Sequence, residues 1–214
     1  MNLEEQLVSG LAQLGLPLDA VVQRRLLDYV ALLQKWNRVY NLTAVRDPQK
    51  MLVQHLLDSL AVLPQIHGRR IIDVGTGPGL PGIPLALADP ALDVTLLDSN
   101  HKKTTFLRQA CLELGLTNAT VVCEQVEAWR PEEKYDVVIS RAFSDLAEFA
   151  DLTLHLCGND GVMLAMKGVY PYEELTRLPA RVALQSVEPL MVPGLDAERH
   201  LILLRPVETE ATTA

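Results

Sequence analysis

The run Asp73-Val74-Gly75-Thr76-Gly77-Pro78-Gly79-Leu80-Pro81-Gly82 sets a carboxylate two residues ahead of a loop rich in glycine. Glycine lets the backbone approach a ligand closely and adopt conformations that side chains forbid. A second carboxylate, Asp98, follows 21 residues beyond Gly77. Nucleotide-binding α/β folds place an acidic residue on the ribose hydroxyls at about this interval. Residues 77–82 also satisfy G-x-G-x-x-G, so a nicotinamide dinucleotide is one ligand class open to the loop. Two features favour another. A pyrophosphate is held by N–H groups at a helix N-terminus, and Pro78, Pro81 and Pro84 have none to offer. Asp73 ahead of Gly75 and Gly77 suits a ligand with an ammonium group and adenosine but no phosphate. S-adenosyl-L-methionine is such a ligand.

Other chemistry-bearing residues close later apolar segments. Cys123-Glu124-Gln125-Val126-Glu127 is expected beside the adenine, or as an exposed acidic turn. Arg141, in Ser140-Arg141-Ala142-Phe143, ends a segment whose carboxyl end faces the sulfonium and the methyl acceptor, or it pairs with a structural carboxylate. Cys111, Cys123 and Cys157 are odd in number and lack metal-ligand spacing, so they read as reduced, buried thiols, with Cys157 in an apolar helix. No metal site is expected.

The elements that must position these residues are visible as two rhythms. Residues 1–65 show helical spacing, with Leu26, Leu27, Val30, Leu33 and Trp36 forming one apolar face and Leu52, Leu56, Leu57 and Leu60 another. Gly15, Pro17 and Asp47-Pro48 divide this extension into at least three helices, with Asp19 and Asp47 as caps. From residue 66 to 207 short apolar segments appear at 70–74, 93–98, 119–123, 135–140, 160–166, 181–191 and 199–205. The first five alternate with helical stretches, the pattern of a parallel sheet built from βαβ units. The last two are joined so closely that they predict an antiparallel hairpin. Residues 208–214 are expected to be a flexible tail.

The 214 residues suit one α/β domain with a small extension. No apolar run approaches the roughly 20 residues of a membrane span, and the acidic N-terminus is unlike a signal peptide. A cytoplasmic protein without a membrane partner is expected. A net charge of −8 weighs against broad nucleic-acid affinity. Local basic groups exist nonetheless: Arg24, Arg25, Lys35, Arg38, Arg46 and Lys50 in the extension, and His101-Lys102-Lys103 with Arg108 after Asp98. Each group is open to two readings, a contact to RNA phosphates or a solvated helix face.

In combination the motifs are specific. D-V-G-T-G-P-G-L-P-G-I-P at 73–84, L-L-D-S at 96–99, V-I-S-R-A-F at 138–143, K-W-N-R-V-Y-N-L-T at 35–43, R-D-P at 46–48, H-L-L-D-S at 55–59 and L-D-A-E-R-H at 195–200 resemble the bacterial small-subunit ribosomal RNA methyltransferase G family, also called glucose-inhibited division protein B. The resemblance spans nearly the whole chain. It implies a Rossmann-like class I methyltransferase core with a seven-stranded, mostly parallel sheet, an antiparallel C-terminal strand and an N-terminal helical extension. It further implies S-adenosylmethionine-dependent methylation of N7 of a guanine, conventionally numbered 527, in 16S ribosomal RNA. Carried onto matching positions, the implied cofactor contacts are Gly75, Leu80, Val126, Glu127 and Arg141; Asp73, Gly77 and Asp98 join them from the loop itself.

The residue chemistry agrees with that implication. Guanine N7 carries its own lone pair, so no general base is required, whereas cytosine C5 methylation calls for a nucleophilic cysteine. The segment after the fourth strand lacks the Asn/Asp-Pro-Pro-aromatic loop of exocyclic-amine methyltransferases. On the RNA side the candidates are Arg141, Lys167, Arg199, His55 and Asn41. Lys167 reads equally as a snorkelling surface residue, and His55 with Asp58 as a local i, i+3 pair. Trp36, Tyr40 and Leu42 read as helix packing, and Phe143 as a ring that stacks a flipped base at the site or packs in the core. The expected partners are 16S rRNA and the small ribosomal subunit, with the chain itself a monomer. Alternatives left open are another RNA site, a small-molecule acceptor, or a non-catalytic adenosyl-ligand-binding module.

Overall fold

The structure is a computed structural model that describes residues 2–207; the predicted tail at 208–214 lies outside the described residues. Helices α1 (Leu3–Gln13) and α2 (Ala20–Tyr40) open the chain. Asn2 and Glu5 form a reciprocal capping box on α1. Asp19 caps α2 by accepting from the Val22 N–H at 2.8 Å, and Asp47 caps α3 (Pro48–Met51) in the same way through Lys50. Both caps were predicted. Helix α3 runs on through a π-helical turn (Leu52–Leu57) into α4 (Asp58–Leu60).

The sheet follows, with β1 (Arg70–Val74), α5 (Gly82–Ala88), β2 (Asp93–Leu97), α6 (His101–Glu113), β3 (Ala119–Val122), β4 (Tyr135–Ser140), α7 (Leu146–Thr153), β5 (Cys157–Lys167), α8 (Tyr172–Leu175), β6 (Val182–Pro189) and β7 (His200–Pro206). The strand order is β3-β2-β1-β4-β5-β7-β6. Strands β1 to β5 are parallel, and β7 runs antiparallel to both β5 and β6. All seven predicted strands are present. The fifth is longer than its apolar core, because Cys157 begins the strand; the expectation of an apolar helix there fails. Cys157 alone of the three thiols is buried, Cys111 and Cys123 being half-buried.

Pleat alternation divides the core. Ile71 faces the layer that contains α5, α6 and the N-terminal helices, while Ile72 and Val74 face the layer that contains α7. Leu52, Leu56, Leu57 and Leu60 are fully buried against the first layer. Each such leucine contributes roughly 2 kcal/mol relative to exposure. The extension and the sheet thus share one continuous hydrophobic core.

One contact ties the extension to the glycine loop. The Tyr29 hydroxyl, fully buried on α2, donates to the Pro78 carbonyl at 2.8 Å. Burial raises the phenol far above its ordinary range, so it remains a donor at every working pH. Replacing Tyr29 with phenylalanine would leave the Pro78 oxygen buried without a partner. The expected loss is about 1–2 kcal/mol, read as a lower urea midpoint with an unchanged slope.

Candidate active site

The strand order reverses between β1 and β4, and the carboxyl ends of these strands meet where open α/β sheets bind ligands. Two clefts of about 250 Å³ and 360 Å³ open on this edge. Consecutive residues, Arg141 and Ala142, line one each.

The first cleft lies over the ends of β1, β2 and β3. Its glycine loop is held from below. Asp73 is fully buried, and one carboxylate oxygen accepts from the Thr76 hydroxyl at 2.6 Å and from the Gly82 N–H at 2.8 Å. A Cβ at Gly82 would collide with Leu96 and Asp73, so only glycine allows α5 to start this close to β1. Gly75 adopts φ +68°, and a Cβ there would lie 2.8 Å from that of Ala142. The Gly82 N–H is spent on Asp73, that of Ile83 on the Gly79 carbonyl, and Pro84 has none. The helix start therefore offers no cradle for a pyrophosphate, and the dinucleotide alternative loses its anchor.

Asp98, 6% exposed, stands just past the end of β2. Its carboxylate accepts from the Gly77 N–H at 3.0 Å, the Asn100 N–H at 2.9 Å and the Lys103 ammonium at 3.3 Å. Asn100 caps α6, so Asp98 is not the cap of that helix. Val126 and Phe143 line the same cleft, and Phe143 packs on Phe149 with ring centroids 5.5 Å apart.

Not every predicted cofactor residue reaches this cleft. Gly75, Asp98 and Val126 line it; Gly77 touches it through its bond to Asp98. Asp73 and Leu80 are buried beneath the loop; one Asp73 oxygen shapes the loop through Thr76 and Gly82, and the other has no partner among the described residues. Glu127 is exposed and its neighbours Glu124 and Gln125 take the lining position. Arg141 turns away into the second cleft.

The second cleft joins the extension to β4, β5 and β7. At its floor Asp58, 1% exposed, accepts from Arg141 Nη1 at 3.1 Å and Arg199 Nε at 2.8 Å. Arg141 Nη1 also donates to the Gln54 carbonyl in the π-helical turn. Both guanidinium groups keep an Nη2 without a protein partner among the described residues. Lys167 lines the wall, but its ammonium is engaged by Glu174 at 2.7 Å and the Ser144 carbonyl at 2.6 Å. The snorkelling alternative is overturned, because that side chain is 10% exposed and paired.

His55 also lines this cleft, without the local pair to Asp58 that the i, i+3 spacing allowed. Its Nδ1 bonds the Gln54 carbonyl at 2.9 Å and its Nε2 the Thr43 hydroxyl at 2.9 Å, while Asp58 is drawn to the two arginines. Asn41 lies outside both clefts. It ends α2 in the left-handed conformation (φ +49°) and accepts from Arg46. Lys103 of the basic group after Asp98 serves the first cleft instead of facing outward. Trp36 stacks on Tyr40 and meets Phe106 edge-on, as helix packing requires. Sequence reasoning missed Tyr29 and the bridging role of Asp58. The partners of Asp58 are 83 and 141 residues away, and no local spacing signals such contacts.

This sheet, with a glycine loop after β1 and a buried carboxylate after β2, defines a Rossmann-like fold of the class I methyltransferase type. The fold resembles TrmN from Thermus thermophilus, with a TM-score of 0.56 at 21% identity over 80% of this chain and 53% of that one. It also resembles an O-methyltransferase of neocarzinostatin biosynthesis solved with S-adenosylmethionine, with a TM-score of 0.56 at 18% identity over 71% of this chain and 54% of that one. The family model for rRNA small subunit methyltransferase G matches residues 22–202, and the chain belongs to that family. The Ribosomal RNA small subunit methyltransferase G of Laribacter hongkongensis is 61% identical over 95% of this chain and 99% of its own length.

Two buried groups set opposed pH dependences on the fold. Burial, aided by the Arg141 charge, lowers His55 to about 4. The unfolded chain alone takes up that proton between pH 4 and 6.5, so stability rises with pH across this window. Burial raises Asp73 to about 6, against the pull of its bonds to Thr76 and Gly82. The folded state holds that proton longer, so stability falls as pH rises from about 4 to 6. Replacing His55 with glutamine removes the first contribution. Urea unfolding at several pH values should then show stability falling more steeply from pH 4 to 6 than in the unmodified protein. Equal slopes would contradict the assignment.

Proposed function

We propose that the chain transfers a methyl group from S-adenosyl-L-methionine to N7 of a guanine, number 527 by convention, in 16S ribosomal RNA. The observation that carries the reading is the meeting of two unlike clefts at the end of β4. One has a ribose-type carboxylate and a close-approach glycine loop; the other has two braced arginines with free donors. Family membership and the name of the Laribacter relative support the ribosomal substrate.

The first cleft suits the cofactor on the chemistry of its own groups. Asp98 is positioned to accept from ribose hydroxyls, Val126 and Phe143 give the adenine and methionine parts apolar walls, and Gly75 admits them to the backbone. Bound there, S-adenosylmethionine supplies an electrophilic methyl group. The remaining requirements fall on the protein. N7 needs no proton removed, so the chain has to align the base and exclude water. A donor to N7 would occupy the attacking lone pair, so the free Nη2 groups of Arg141 and Arg199 serve O6 or a flanking phosphate. The alkylated guanine ring becomes cationic. Bare arginines would oppose that charge, and Asp58 between them offsets it. Arg141 and Arg199 are thus the residues placed on the reacting base, with His55 and Lys167 shaping the wall around them.

Deleting the gene from its host and mapping 7-methylguanosine in 16S RNA tests the reading. Loss of one modified position, restored by the intact gene, is the expected result. An unchanged modification pattern would refute the substrate.

A further inference from the structure

Beside the arginine cleft stands a ladder of rings that the proposed chemistry does not use. Tyr172 is 74% exposed, and its ring lies 4.3 Å from that of Tyr170. Tyr170 meets the His200 ring edge-on at 5.5 Å, and His200 Nδ1 bonds the Gly168 carbonyl at 2.9 Å. The ladder is anchored on paired strands, because Lys167 of β5 lies opposite His200 of β7. Lys167, Gly168 and Arg199, the residues from which the ladder departs, line the cleft itself.

We infer that this ladder is a stacking platform for the nucleobase that flanks the methylated guanine in single-stranded RNA. The inference rests on the function proposed above. The donor must approach guanine N7 in the plane of the base, from the edge that faces the major groove. In an A-form duplex that groove is deep and narrow, and the folded cleft cannot enter it. The guanine therefore reaches the cleft unstacked, which uncovers one face of its neighbour. An exposed, held tyrosine ring replaces the lost stacking for any base, and the adjoining arginines attract the phosphate between the two nucleotides. The protein carries a net charge of −8, so affinity has to come from such local pairing of rings and cations.

Tyr172→Ala and Tyr172→Phe separate the ring face from the hydroxyl. With small subunits that lack the modification, Tyr172→Ala should raise KM for RNA roughly tenfold while kcat and S-adenosylhomocysteine affinity hold. Tyr172→Phe should keep KM. In a parallel measurement, single-stranded RNA with 2-aminopurine beside a guanine should be quenched by the unmodified protein and Tyr172→Phe, and not by Tyr172→Ala. Unchanged KM and quenching in Tyr172→Ala would overturn the platform. A KM rise on whole subunits only, without loss of quenching, would also overturn it by assigning the rings to a ribosomal protein. If the unmodified protein quenches the probe and Tyr172→Ala does not, but no small subunit is methylated, the rings stack single-stranded RNA and it is the proposed function that falls.

Discussion

Asp58 is the group around which the arginine cleft is organised. A carboxylate this deeply buried would cost several kcal/mol if left alone, and removing one partner of a buried ion pair is correspondingly destabilising. Here the cost is met by two guanidinium groups, one from the end of β4 and one from the residue before β7. The bridge fixes the π-helical turn of the extension against two strands that are remote in sequence. It also aims both arginines at one cleft while limiting their combined positive charge. Arg141 also donates to the Gln54 carbonyl of the π-helical turn, while the His55 ring and the Lys167 wall are held separately, by Thr43 with the Gln54 carbonyl and by Glu174 with the Ser144 carbonyl.

The first cleft uses the same device in another form. Asp73 is also a buried carboxylate, but one of its oxygens accepts from a hydroxyl and a backbone N–H while the other has no partner among the described residues, so it organises backbone in place of side chains. The result is a loop whose helix has no spare donors for phosphate and whose glycines leave open backbone beside Asp98. Tyr29 locks the outer turn of that loop from α2. The extension therefore touches both clefts, through Tyr29 on one and Asp58 on the other.

Much of this was legible in the residues. Strand segments, helix caps and the glycine loop depend on neighbours within a few positions, and local chemistry predicts such features well. Asp98 was legible because its interval from Gly77 is set by one βαβ unit. Arg141, Lys167 and Arg199 were legible as residues at one edge of the sheet, where they line one cleft, because each closes or adjoins a strand. Their partners were not. Whether Arg141 faces the cofactor or Asp58 depends on contacts 83 residues apart, and a cation beside a loop gives no sign of which way it turns. Asn41 shows the opposite case: an asparagine in a family motif whose local reason, the left-handed end of α2, is sufficient to account for its presence.

The division of labour between the clefts is the central claim, and a double dissociation tests it. Asp98→Ala and Arg199→Ala should each abolish most methyl transfer to small subunits. Calorimetry with S-adenosylhomocysteine should show at least a tenfold loss of affinity for Asp98→Ala, about the worth of a charge-assisted ribose contact, and no change for Arg199→Ala. Weakened cofactor binding in Arg199→Ala, or retained binding in Asp98→Ala, would contradict the assignment of donor and acceptor to separate clefts.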